Sequence, residues 1–207
     1  MAVIANPIEA IQNKVRIRVS RIINVESIGS FVRVSARLPP SFSVRAGDHF
    51  AVDAGGKWRR FTVARQVDDT VELVVDVGHD GPASRWFRHV QPGDELRTRS
   101  HERGWGYFPA AVGVCDGSGL ATMIAAGPTR LGVLGVEPEV LALLGVDGTV
   151  LQTPQRAQLR INGNDTVLAA GEVGLVNSIR TLSVEAGVPR SQRFVRGYWK
   201  PGRVGME

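Results

Sequence analysis

Apolar and polar residues alternate in short runs through the first hundred positions, and this pattern predicts β-strands. The first run begins at Lys14, where Val15, Ile17 and Val19 alternate with polar residues, as in a half-buried strand. Similar runs follow, separated by turns rich in glycine, proline and aspartate; they cover residues 31–36, 49–52, 58–65, 71–77 and 96–98. Short strands at this spacing predict an antiparallel barrel or sandwich.

One helix is predicted within this series. It covers residues 82–90 and begins with Pro82, which a helix tolerates in its first turn. Trp86, Phe87 and Val90 give it an apolar side.

The pattern changes after about residue 105, where strands and helices alternate. Strands are predicted at 110–115, 166–170 and 192–195, and helices at 120–126, 138–144 and 173–185. This alternation predicts a parallel α/β half. Residues 147–165 are typical of a hairpin, so fewer strands are found than a full dinucleotide-binding half has. We therefore predict two domains, 1–105 as a barrel and 106–207 as a shortened α/β domain.

Composition adds limits to this picture. The chain has 207 residues, of which 43% are hydrophobic and 22% charged, and no apolar run reaches the roughly 18 residues of a membrane span. The single cysteine, Cys115, forms no internal disulfide and fits a small core residue and a reducing cytoplasm. The four histidines are scattered without metal-ligand spacing, so no metal site is predicted.

Two segments of the first half together indicate a flavin site. Arg60, Phe61 and Thr62 lie on one predicted strand and offer a cation for a phosphate, an aromatic ring to cover the cofactor and a hydroxyl for a ring nitrogen. About twenty residues later Gly81, Pro82, Ala83 and Ser84 open the predicted helix, following His79. Its first backbone N–H groups suit a pyrophosphate. We extend this candidate site to Val63 and Val77 at the strand ends.

Other candidate residues lie in the second half. Asp116-Gly117-Ser118-Gly119 connects a strand to a helix, where it is either a phosphate-binding turn or a plain connection. Glu172 either faces a ligand at a strand end or stabilises its own helix.

Near the C-terminus, cations lie beside two aromatic residues. Arg196, Lys200 and Arg203 surround Tyr198-Trp199, an arrangement that suits either an anionic aromatic substrate or a solvated tail. The net charge is +5, but no continuous basic face with a stacking platform is found, so we expect neither a nucleic-acid nor a membrane partner.

Several of these motifs occur in the order found in one family. The chain resembles siderophore-interacting proteins, FAD-binding ferric-siderophore reductases of the ferredoxin-reductase superfamily, over about residues 14–203. The resemblance rests on five motifs: Arg60-Phe61-Thr62, the run from His79 to Trp86, Gln91-Pro92-Gly93-Asp94, Ala170-Gly171-Glu172 and Gly197-Tyr198-Trp199-Lys200.

The resemblance implies a fold and roles for individual residues. The fold would be a six-stranded antiparallel FAD-binding barrel followed by a smaller α/β domain that receives NAD(P)H. Arg60 would pair with the FAD pyrophosphate, Phe61 would pack along the flavin and Thr62 would lie near N5. Gly81, Ala83 and Ser84 would hold the pyrophosphate, with His79 near the flavin ring or the ribityl chain.

The function implied is electron transfer from NAD(P)H through FAD to an iron chelate, a ferric siderophore. Because the second half is short of strands, an alternative is an FAD-binding protein of small-molecule biosynthesis that has lost or altered its use of nicotinamide. Such a protein would catalyse a non-redox step such as cyclisation.

Overall fold

The computed structural model of the chain describes residues 17–40, 42–104, 110–152 and 159–202. Backbone contacts divide the chain into two compact units, Met1–Gly104 and Trp105–Glu207. Among the described residues, unit 1 contains strands and one α-helix, whereas unit 2 alternates strands and helices.

In the described part of unit 1, the strands form one seven-stranded antiparallel sheet in the order β4-β3-β7-β1-β2-β6-β5. The strands are β1 (Arg18–Ile28), β2 (Phe31–Arg37), β3 (His49–Asp53), β4 (Trp58–Thr62), β5 (Arg65–Val67), β6 (Thr70–Asp76) and β7 (Glu95–Glu102). The helix α1 (Pro82–His89) follows β6. The predicted antiparallel barrel architecture is confirmed.

The run predicted as one strand over 58–65 is divided between the two edges of this sheet. The backbone N–H of Val63 donates to the Asp48 carbonyl at 2.9 Å, and that of Ala64 donates to the Glu72 carbonyl at 2.8 Å. The chain thus leaves β3 as its partner and joins β6 within two residues. Because β4 and β5 are the edge strands and nearly adjacent in sequence, the sheet must curl until its edges approach.

The core of unit 1 fills this curl. Val34, Phe50, Leu73 and Leu96 are almost completely buried on its inner side, together with Phe87 from α1. The strand β7 is longer than predicted because charged residues flank its buried positions, which hides the apolar pattern.

In the described part of unit 2, five parallel strands form a sheet in the order β10-β9-β8-β11-β12. They are β8 (Val112–Asp116), β9 (Arg130–Leu134), β10 (Thr149–Leu151), β11 (Val167–Glu172) and β12 (Arg193–Trp199). The helices are α2 (Leu120–Ala126), α3 (Pro138–Leu143) and α4 (Val173–Glu185). The predicted parallel α/β architecture is confirmed.

Two strands of unit 2 differ from the sequence prediction. β9 lies at the start of an apolar stretch to which no strand was assigned, since periodicity does not separate a short buried strand from a helix. β10 lies in the stretch expected to be a hairpin, but it pairs in parallel with β9 instead. The sheet therefore has more strands than the sequence predicted.

Candidate functional site

The predicted motif Arg60-Phe61-Thr62 lies at the end of β4, on an edge of the sheet. Phe61 is paired with Phe50 on β3 and is half-buried against the core. Since strand side chains alternate between faces, Arg60 and Thr62 point to the opposite face from Phe61. The motif therefore presents its aromatic ring and its polar groups to different sides of the strand.

Arg60 already has an acidic partner. Its Nη1 and Nη2 atoms each donate to Glu102, at 2.8 Å to Oε2 and 2.8 Å to Oε1, in a two-point contact. The two side chains are 57% and 39% exposed, so the pair is screened by solvent and contributes little to stability. A diphosphate at Arg60 would have to compete with this carboxylate.

Thr62 is held by a buried histidine. Its Oγ1 lies 2.9 Å from Nδ1 of His49, and both residues are buried. A neutral imidazole nitrogen either donates or accepts, depending on the tautomer. The tautomer of His49 therefore decides whether the hydroxyl proton of Thr62 is directed to the histidine or available to another acceptor.

The start of α1 has the properties of an anion site. Gly81 is the N-cap residue and supplies no side-chain cap, Pro82 occupies the first turn, and no acid lies in that turn. Among the described residues no acceptor contacts the backbone N–H of Ala83 or Ser84. Uncapped donors at the positive end of a helix stabilise phosphate groups.

Packing brings β4 and α1 together. The rings of Phe61 and Phe87 meet edge to face at 4.9 Å between centroids. In the turn between β3 and β4, Gly55 has a φ of +67°, and a Cβ placed there would lie 3.2 Å from the carbonyl oxygen of Pro82. The two segments predicted from the sequence to act together are thus adjacent in unit 1.

A cavity of about 610 Å³ lies beside this contact. Its lining includes Gly55, Lys57, Arg85, Trp86 and His89. Arg85 also binds Asp80 through Nη1, at 2.8 and 2.9 Å from the two carboxylate oxygens. The cavity thus combines an aromatic wall with basic groups and one carboxylate, that of Asp94.

Three further predicted residues lie around this region. His79 is exposed, with Nε2 3.8 Å from Oδ2 of Asp76. Val63 and Val77 point into the core, and the Val77 carbonyl accepts from the guanidinium of Arg88, with Nε at 3.1 Å. The two valines thus fix the backbone near the site and present no side chain to a ligand.

Sequence reasoning missed Arg59. It lies on the same face of β4 as Phe61, and its Nη1 donates to the Trp58 carbonyl at 3.1 Å. Among the described residues Arg59 has no carboxylate partner. The doublet Arg59-Arg60 was visible in the sequence, but only the pairing of β4 and β7 with β3 shows which of the two guanidinium groups has a carboxylate beside it.

In unit 2 the candidate turn at the end of β8 is closed by its own aspartate. Oδ1 of Asp116 accepts from Ser118 N at 2.9 Å, Ser118 Oγ at 2.6 Å and Gly119 N at 3.3 Å. Oδ2 accepts from Glu172 N at 2.7 Å and from Trp199 Nε1 at 3.0 Å. Asp116 therefore connects the ends of β8, β11 and β12.

The other candidates of unit 2 have structural contacts. Glu172 caps α4, accepting from Leu175 N at 2.9 Å. Tyr198 shares a hydrogen bond of 2.7 Å with the Thr122 hydroxyl. Arg196 is half-buried on β12 and Lys200 is exposed just after it. The predicted Arg203 lies outside the described residues.

Cys115 is completely buried at the end of β8. Burial, and secondarily the neighbouring Asp116 carboxylate, raises the pKa of its thiol well above the usual value. It therefore remains a neutral thiol.

Neither a metal-binding cluster nor a membrane-spanning helix is found among the described residues. No group of three or more histidine, cysteine, aspartate or glutamate side chains there is arranged to hold a metal ion. Among the described helices, none has the length and apolar content that crossing a membrane requires.

A curled antiparallel sheet followed by a parallel α/β sheet defines the ferredoxin-reductase-like class of fold. No protein-family model and no curated protein matches the sequence. Among solved structures, the siderophore-interacting protein from Acinetobacter baumannii is similar at a TM-score of 0.72 and 15% identity, covering 90% of this chain and 92% of that chain.

Two other solved structures are similar. The siderophore utilization protein from T. fusca has a TM-score of 0.68 and 22% identity, covering 93% of this chain and 95% of that chain. The ferredoxin NADP+ reductase from Neisseria gonorrhoeae, solved with bound FAD and NADP, has a TM-score of 0.71 and 16% identity, covering 87% and 98%. The resemblance inferred from the motifs is thus confirmed at the level of the fold.

Proposed function

We propose that this chain is an FAD-dependent oxidoreductase that holds its cofactor in unit 1, at the start of α1. The packing of Phe61 on β4 against Phe87 on α1, at 4.9 Å, carries this proposal. It packs a strand bearing two arginines and a threonine against the helix whose first N–H donors lack acceptors among the described residues.

The residues present fit a dinucleotide. The amides of Ala83 and Ser84, with the Ser84 hydroxyl, suit a diphosphate. Arg59 supplies a cation without a carboxylate partner in the described chain, and Arg60 contributes if it leaves Glu102. The cavity beside α1, with the half-buried Trp86, suits the adenosine.

The remaining predicted residues have supporting roles. Thr62, hydrogen-bonded to His49, presents a hydroxyl for the flavin ring. Phe61 packs against the core and the ring of Phe87, and His79 lies at the exposed margin. Val63 and Val77 hold the ends of β4 and β6 in the core.

The chemistry would join a nicotinamide donor to an external acceptor. When bound, FAD would supply the chemistry that links a two-electron hydride donor, NAD(P)H, to a one-electron acceptor. We propose a ferric siderophore as this acceptor, supported by the likeness in fold to a siderophore-interacting protein and a siderophore utilization protein. Arg196, Lys200 and Arg203 are the candidate residues for attracting such an anion.

One observation favours a second function. Asp116 lies in the strand-to-helix turn at the end of β8, where a nicotinamide dinucleotide would need phosphate contacts. The alternative is therefore an FAD-binding protein without nicotinamide-driven redox, catalysing a step such as cyclisation.

The test is the absorption spectrum of the purified protein, followed by anaerobic addition of NADPH. We expect the flavin absorption to show nearly stoichiometric FAD. NADPH should bleach this absorption, and a ferric chelate should restore it. A yellow protein that is bleached by neither NADH nor NADPH supports the second function. A protein that takes up no FAD from excess cofactor contradicts both.

A further inference from the structure

The strand order of unit 2 places a crossover between β8 and β11. The chain builds the sheet outwards from β8 to β9 and β10, then returns to add β11 and β12 on the other side. In open parallel sheets of this kind, ligands bind at the carboxyl ends of the two strands that flank the crossover. In this chain those ends carry Asp116 and Gly171-Glu172.

Five hydrogen-bond donors at this crossover converge on one carboxylate, that of Asp116. Three backbone N–H groups, from Ser118, Gly119 and Glu172, donate to Asp116. The Ser118 hydroxyl and the Trp199 indole N–H donate to the same side chain. Convergent backbone amides at a strand-to-helix turn are the groups that hold a phosphate in dinucleotide-binding folds.

The space around the Asp116 side chain is also closed to a ligand. A Cβ added at Gly171, whose φ is +139°, would lie 2.6 Å from Oδ1 of Asp116. A Cβ added at Gly119 would lie 2.3 Å from the Ala170 carbonyl oxygen. The turn and the end of β11 therefore fit tightly around the aspartate, and a phosphate group enters only if that side chain leaves.

A second carboxylate adds negative charge at this crossover. Glu172, at the end of β11, accepts from Leu175 N at 2.9 Å and so caps the start of α4. The turn before α2 and the start of α4 are thus each supplied with an acid from the chain itself. Negative charge at both positions repels a diphosphate rather than attracting it.

We propose that Asp116 is a specificity-determining residue that excludes the diphosphate of a nicotinamide dinucleotide from the crossover of unit 2. This inference rests on the proposed oxidoreductase function and deepens it. The chain then uses dihydronicotinamide donors through their nicotinamide ring and ribose alone, and gains no affinity from the phosphates of NADH or NADPH at this turn.

The first test needs no variant. Titration calorimetry on the full FAD-loaded chain compares NADP+ with nicotinamide riboside, which lacks phosphate. We expect dissociation constants within about threefold of each other. A preference of about tenfold or more for NADP+ overturns the inference.

The second test removes the carboxylate. Asp116→Ala and the milder Asp116→Asn are titrated with NADP+ and with inorganic pyrophosphate. We expect at least one folded variant to bind both about tenfold more tightly than the original chain, because the released amides can donate to an anion and the repelling charge is gone. No gain in either variant, with flavin content and circular dichroism unchanged, contradicts the inference.

A control separates local from general charge effects. Asp147→Asn removes the same charge from an exposed position just before β10, an edge strand that β9 separates from β8. It should leave both affinities unchanged, and a gain equal to that of Asp116→Asn would assign the effect to net charge and overturn the inference. Flavin content, measured on every sample, reports separately on unit 1, so failure of FAD binding is distinguished from failure at the crossover.

Discussion

At the scale of single residues, the two arginines of β4 differ in what surrounds them. Arg60 is bound at two points by Glu102, whereas Arg59 shares the face of Phe61 and has no carboxylate partner in the described chain. A guanidinium without such a partner is available to a phosphate without first breaking an ion pair. We therefore assign the larger share of diphosphate binding to Arg59.

This assignment predicts unequal effects of two substitutions. Arg59→Ala should weaken FAD binding about 10- to 100-fold, since a charged hydrogen bond contributes about 1.5–3 kcal/mol. Arg60→Ala should weaken it less. Fluorescence titration of the FAD-free protein measures both constants. A larger loss for Arg60→Ala would reverse the assignment and favour the residue that sequence reasoning selected.

Thr62 gives a second prediction at this scale. Thr62→Val keeps the shape of the side chain but removes the hydroxyl that contacts His49 at 2.9 Å. We expect FAD to remain bound, while the flavin spectrum or its rate of reduction changes. Unfolding in urea should show a loss of about 1–2 kcal/mol, because a buried polar group loses its partner. An unchanged spectrum and rate would exclude Thr62 from the flavin environment.

At the scale of elements, the sequence was informative where periodicity and turn residues agree. The strands β2, β3 and β6 and the helix α1 were predicted close to their observed bounds. β9 and β10 were not, because a three- to five-residue strand buried in a parallel sheet shows no alternation. The sequence also did not show that β4 and β5 lie at opposite edges of the sheet, since their positions depend on contacts between residues distant in sequence.

The same limit applies to the candidate site. Glycine and proline at 81–82 predicted the helix start, because their backbone preferences are local. The hydrogen bonds that Asp116 accepts from donors at three strand ends could not be predicted. Two of these donors, Glu172 and Trp199, lie more than fifty residues away in sequence.

The uncapped start of α1 yields a prediction about the element itself. Gly81 has extended backbone angles, and a Cβ added there meets nothing within 4 Å, so Gly81→Asp is tolerated. The new carboxylate should cap α1 and stabilise the FAD-free protein by about 0.5–1 kcal/mol. It should also weaken FAD binding at least about tenfold, because it occupies the donors that the diphosphate needs.

The matched control for this change is Gly81→Ala, which adds the Cβ without the carboxylate. It should leave FAD affinity within about threefold of the original chain. Thermal unfolding by circular dichroism and FAD titration measure the two quantities. If Gly81→Asp bound FAD as tightly as Gly81→Ala, the start of α1 would not be the diphosphate site.

At the scale of the whole molecule, charge distribution bears on the choice of acceptor. The chain carries a net charge of +5, which attracts anions over distances comparable to the Debye length. A ferric siderophore with excess negative charge would gain from this attraction, whereas a neutral quinone would not. The dependence of rate on ionic strength therefore separates an anionic acceptor from a neutral one.

Lys200 is exposed directly after β12, and a substitution there tests whether the acceptor is attracted to this part of the surface. Lys200→Glu should lower kcat/KM for an anionic ferric chelate about 3- to 10-fold at low salt, and the difference should shrink as salt screens the charge. Arg180→Glu, at an exposed position on α4, makes the same change in net charge. If both variants lost the same amount, the long-range field alone would account for acceptor attraction, and the C-terminal cations would have no special part in it. A loss confined to Lys200→Glu, absent with a neutral quinone, would assign the acceptor to the carboxyl end of β12.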